Sequence, residues 1–125
     1  MSISVLLRSA RDLLVALPAA GALVPLPAAA HAILMESQPA ALGAVAAGPS
    51  AVRLRFNSRV DHGRSRLALR SGGADRVLSI DPASPLDSLV SSVTLAPGSY
   101  AVRWQVLAVD GHITRGDIRF TVAPP

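Results

Sequence analysis

Residues 100–122 read Tyr-Ala-Val-Arg-Trp-Gln-Val-Leu-Ala-Val-Asp-Gly-His-Ile-Thr-Arg-Gly-Asp-Ile-Arg-Phe-Thr-Val, and they limit the possible folds more than any other stretch. Tyr100, Val102, Trp104, Val106 and Ala108 alternate along the first run, and Ile118, Phe120 and Val122 along the second. Successive side chains of a strand point to opposite faces, so this period marks two half-buried strands. Every aromatic residue except Phe56 lies here, which makes the pair a main supplier of core. A tight Asp110-Gly111-His112 joins the two runs.

The remaining chain reads the same way. Ile33–Met35, Ala51–Phe56, Arg66–Arg70, Val77–Ile80 and Leu89–Leu95 are expected strands, with Val52, Leu54, Phe56, Leu67 and Leu69 inward and Arg53 and Arg55 outward. Turn chemistry separates them at Asn57-Ser58, Asp61-His62-Gly63, residues 71–75, residues 81–85 and Ala96-Pro97-Gly98. The Ala-rich 40–47 has helix propensity, but Gly43 and Gly48-Pro49 limit it to a turn. About seven short strands without a helix predict an all-β fold: an antiparallel, immunoglobulin/cupredoxin-like Greek-key β-sandwich.

The first 30 residues are of another kind. Arg8 and Arg11 form a positive start, 13–26 a short apolar run, and Ala28-Ala29-Ala30 a small-residue cleavage site. This is the layout of a secretory signal peptide, with cleavage expected after Ala30. Pro18, Pro25 and Pro27 argue against a membrane span, which needs about 20 unbroken apolar residues. The expected mature domain is 31–125, an exported one.

That segment holds ten arginines, no lysine and seven carboxylates. A surplus of three on alternating strand positions reads as a solvated surface, and the aromatics that nucleic-acid binding would use for stacking are assigned to the core. No nucleic-acid partner is expected. The chain has no cysteine, which excludes disulfides, thiolate metal sites and thiol nucleophiles.

Cleavage after Ala30 would make His31 the N-terminal residue. Its α-amine and imidazole Nδ1 could then close one chelate ring on a metal, both nitrogens being readily deprotonated near neutral pH. Nitrogen donors in a tetragonal arrangement favour Cu(II). Asp110 and His112 offer a carboxylate and an imidazole two residues apart, projecting to one face if the chain stays extended. Charged groups do not follow Trp104 and Val106 into a core, so the strand should leave it at Val109, with Gly111 letting the backbone bend. On spacing alone, the plainer alternative is an Asp-Gly hairpin turn with an exposed histidine.

The combination of Ala-x-Ala before His31-Ala32, then Ser37-x-Pro39-Ala40, Val52-x-Leu54-x-Phe56, Tyr100-x-Val102-x-Trp104 and Asp110-Gly111-His112-x-x-x-Gly116-x-x-x-Phe120-x-Val122 resembles the CopC family of periplasmic copper-binding proteins. The resemblance covers nearly all of 31–125, and its closing block is the specific part. It implies a cupredoxin- or immunoglobulin-like sandwich and one Cu(II) per mature chain, held by His31, Asp110 and His112. Where the family often has an acidic residue after the first long strand's Phe, this chain has Asn57-Ser58, leaving open whether Asn57 stands near the metal. Met35 is the only methionine after residue 30, so no separate Cu(I) site is expected. His62 reads as an exposed turn histidine, with an auxiliary ligand role as the minor option.

The function expected is a non-enzymatic, monomeric copper carrier or buffer in copper homeostasis and resistance, with an inner-membrane copper transporter as a candidate partner. Two other classes compete. A metal-free immunoglobulin-like binding module would make His31 and Asp110-Gly111-His112 a coincidence. A copper monooxygenase would need a flat aromatic substrate face and the equatorial position that Asp110 would fill.

Overall fold

The computed structural model describes residues 31–125; the expected signal peptide and its cleavage point lie outside the described residues. Eight strands form two sheets: β1 (Leu34–Gln38), β2 (Ala44–Ala46), β3 (Gly48–Phe56), β4 (Arg66–Ser71), β5 (Ala74–Leu78), β6 (Ser88–Leu95), β7 (Gly98–Leu107) and β8 (Ile113–Ala123). The smaller sheet has the order β1-β3-β6 and the larger β2-β8-β7-β4-β5. Their inner faces enclose Val52, Leu54, Phe56, Leu67, Leu69, Leu89, Val102, Val106, Ile118, Phe120 and Val122. Burying each such side chain contributes about 1.5–3 kcal/mol, which is what holds a cysteine-free domain of this size.

The β-sandwich expectation holds, with three local differences. An eighth strand, β2, pairs with β8 and is parallel to it. Ala44-Val45-Ala46 is too short and too uniform to show a period. Pro49 lies inside β3 rather than before it: β1 joins β3 only at Arg53, opposite Gln38, so the proline has an open side. β5 starts at Ala74, earlier than Val77, because Gly72 and Gly73 both take positive φ and close a two-residue hairpin. As an edge strand it leaves residues 74–77 exposed, so no burial period marks it.

Trp104 and Gly116 face each other across β7 and β8. The indole packs edge-on against Phe56, with ring centroids 5.2 Å apart, and fills the space where residue 116 would carry a Cβ. A Cβ there would stand 2.6 Å from Trp104 Cε2 and 2.9 Å from Nε1. Nε1 is buried without a hydrogen-bond partner among the described residues, so packing alone sets the ring's position. Gly116→Ala is expected to destabilise the domain by about 1–3 kcal/mol through overpacking. Thermal unfolding, with the single tryptophan as reporter, checks this; an unchanged melting temperature would show that the ring moves aside at no cost.

Candidate metal centre

β7 ends at Leu107, and Ala108, still buried, bridges to Val60. The chain leaves the core at Val109, which is exposed, as the sequence suggests. The turn is closed by Ala108, whose N–H donates to His112 O (2.9 Å) and whose O accepts from Gly111 N–H (2.9 Å). Gly111 sits at φ 89°, where a side chain would be strained.

Asp110 and His112 do come together, but not through an extended strand. Asp110 Oδ1 accepts the His112 backbone N–H at 3.0 Å, and Oδ2 lies 2.8 Å from His112 Nδ1. The tight turn therefore folds the carboxylate onto its own neighbour. The backbone N–H of His112 holds the Asp110 carboxyl below the usual carboxylate range, helped by the imidazole contact and, to a smaller extent, by the charges of His112 and His31. His112 keeps Nε2 as the nitrogen that Asp110 does not engage. A histidine ring fixed by a carboxylate in this way is a common support for metal ligation.

His31 reaches the same pole from the other end of the domain. Its ring lies edge-on to that of His112, with centroids 4.7 Å apart and planes at 74°. Two hydrogen-bonding residues stitch the segment down. Thr114 Oγ1 donates to Ala32 O at 2.9 Å. Asn57 accepts the Ile33 N–H on its side-chain oxygen at 2.8 Å and donates its own N–H to Ile33 O at 2.9 Å. Ala32 between them is buried, 2% exposed, which anchors an otherwise exposed histidine.

Two imidazoles, one backed by a charged carboxylate, thus share an accessible end of the sandwich. Among the described residues, no group of three or more such side chains already closes around one point. The donors nevertheless suit a borderline divalent ion: imidazole nitrogens with a deprotonated oxygen beside them.

Asn57 secures the backbone of Ile33. His62 does lie in a turn, the short 3₁₀ segment His62–Arg64, but half-buried rather than exposed, with Nε2 2.9 Å from Pro85 O. Thr114 is the site residue that spacing did not reveal. Its signal was a polar side chain at an inward-facing position, in step with Gly116 and Ile118, two residues after His112.

The CopC domain family model matches residues 34–123. This chain belongs to the CopC family. Protein YobA of Escherichia coli K12 is 34% identical over 100 residues, covering 74% of this chain and 79% of YobA. Copper resistance protein C of Pseudomonas syringae pv. tomato is 30% identical over 131 residues, covering 90% of this chain and 96% of that protein. The crystal structure of CopC from Methylosinus trichosporium OB3b superimposes with a TM-score of 0.67 at 34% identity, covering 75% of this chain and 95% of that one. PcoC, a methionine-rich copper resistance protein from E. coli, gives 0.61 at 28% identity, covering 75% and 100%. The CopC domain match includes Asp110 and His112 and begins three residues after His31. Unlike a methionine-rich relative, this CopC chain has two methionines in all.

The turn makes a pH prediction. Because Asp110 is depressed in the folded state, its contact with His112 stabilises fully above the ordinary carboxylate value of 3.8 and is lost as pH falls through the lower folded value. In metal-free protein, the Asp110 carboxyl followed by NMR should titrate below 3.8 and move back toward it in His112→Ala. An Asp110 midpoint that does not respond to the substitution would mean that the ring contributes nothing to it.

Proposed function

We propose that this protein is a periplasmic Cu(II) carrier or buffer, binding one ion per exported chain through His31, Asp110 and His112. On this reading residues 1–30 direct export and are removed after Ala30, freeing the His31 amine as a fourth donor, and 31–125 works as a monomer. The observation that carries it is the 4.7 Å approach of the His31 and His112 rings beside a charged Asp110. A relative named for copper resistance, aligned over 90% of this chain, supports copper as the cargo.

Cu(II) suits the donors because nitrogen and carboxylate ligands favour the oxidised ion, while the one thioether after residue 30, Met35, is too few for a separate Cu(I) site. The His112 side chain is 59% exposed and Asp110 23%, so an acceptor such as an inner-membrane copper transporter could exchange ligands with a bound ion directly. Asp110 in the coordination sphere would occupy a position that oxygen chemistry needs open, which favours a carrier over an enzyme.

Copper titration of exported protein tests the reading. One equivalent of Cu(II) should give a tetragonal, nitrogen-rich electron paramagnetic resonance spectrum. Absence of any bound copper would support a metal-free module instead, and copper-dependent oxidation of a polysaccharide in the presence of reductant would support an enzyme.

A further inference from the structure

The surplus positive charge of 31–125 is confined to one surface. The outward face of the β2-β8-β7-β4-β5 sheet carries Arg66, Arg70, Arg103, Arg115 and Arg119 against only Asp75 and Asp117. Elsewhere five arginines are balanced in number by five carboxylates, with Arg55–Glu36 the one arginine–carboxylate pair there among the described residues, so the net excess of three belongs to this face. Cross-strand register sets it out in rows: Arg66–Gln105–Arg115, then Ala68–Arg103–Asp117, then Arg70–Ala101–Arg119.

Arg70 pairs with Asp75 at 3.1 Å, and Arg103 lies 3.4 Å from both Asp75 and Asp117. Arg66, Arg115 and Arg119 have no carboxylate partner among the described residues; Arg115 Nε donates to the neutral Gln105 at 2.8 Å. Arg66 and Arg115 flank an open groove of about 500 Å³. Two strand spacings separate them, about 10 Å, and Arg119 lies about 13 Å further along β8.

We infer that this face docks onto a plane of anionic phospholipid headgroups. Guanidinium groups fork onto phosphate oxygens, and three unneutralised ones spread over one sheet face suit a repeating anionic plane. A protein interface would want aromatic or large apolar anchors at its centre, where this face has Ala68, Ala101 and Gln105. Nucleic acid would want several stacking aromatics along the face, and Trp104, partly buried against Phe56, is the one ring lining the groove. Docked this way, the strands lie along the membrane. The His31–His112 pole then sits beside the surface instead of beneath it.

The test is co-sedimentation of exported protein, its processing checked by mass spectrometry, with vesicles of phosphatidylcholine alone or with anionic phosphatidylglycerol added. Binding should require the anionic lipid and weaken steeply with salt. Each guanidinium near such a surface contributes about fivefold, so Arg66→Gln/Arg115→Gln/Arg119→Gln should lose on the order of 100-fold in partitioning. Arg53→Gln/Arg59→Gln/Arg64→Gln, with the same change in net charge, should lose far less. Equal losses in the two triple variants, no salt-sensitive binding of the unmodified protein, or a preference for polyglutamate over vesicles would each overturn the inference.

Discussion

Adding one alanine ahead of His31 in the exported protein is expected to weaken Cu(II) binding by more than about 100-fold, the upper end of what losing a supporting group around a metal costs. The proposed site uses the His31 amine and ring together, and an extra residue moves the amine about 3.8 Å along the chain and breaks that chelate. The folded protein should not notice: His31 is exposed, and the contacts from Thr114 and Asn57 act on Ala32 and Ile33. His112→Ala should cost as much by a different route, removing a ring that Asp110 holds in place. Competition against a chelator of known affinity measures both. Equal affinity with and without the added residue would sink the amine model while leaving a copper carrier standing. Failure of the unmodified protein to bind would instead remove the carrier itself.

Most of the sandwich was legible because its strands alternate strictly: Val52, Leu54 and Phe56 inward with Arg53 and Arg55 outward needs no tertiary information. What escaped were elements whose reason lies elsewhere in the chain. β2 exists because β8 offers it an edge, and β5 begins where two positive-φ glycines allow it to. The site was legible in the same uneven way. Asp110-Gly111-His112 announced a turn bearing two polar groups, but the strand period gave the wrong cause for their meeting; the carboxylate bends back around Gly111 onto the next imidazole. His31 was legible as a chelating N-terminal residue from the cleavage pattern, but nothing in the spacing placed its ring against His112. The contacts that bring it in, from Thr114 to Ala32 and from Asn57 to Ile33, span 82 and 24 residues, and spacing says nothing about either.

Those contacts support the second large effect. Thr114→Val keeps the β-branch and volume that suit β8 and removes only the hydroxyl that donates to Ala32 O. Because Ala32 is buried, its carbonyl is left without that donor, at a cost of about 1–3 kcal/mol. The cheapest relief is for residues 31–33 to lift away, since only Asn57 then holds them ahead of β1. Of the core cluster only the Ala32 methyl is then exposed, so the melting temperature should fall by no more than several degrees. Cu(II) affinity should drop about 10–100-fold, and in metal-free protein the proton–proton contact between the His31 and His112 rings should fade. Thr114→Ser should restore both. Asn57→Ala should act in the same direction and combine non-additively with Thr114→Val, because both residues hold one segment. If Thr114→Val leaves the ring contact and the affinity intact, the pairing of Leu34 with Phe56 at the start of β1 is enough to position His31, and the threonine has no part in the site.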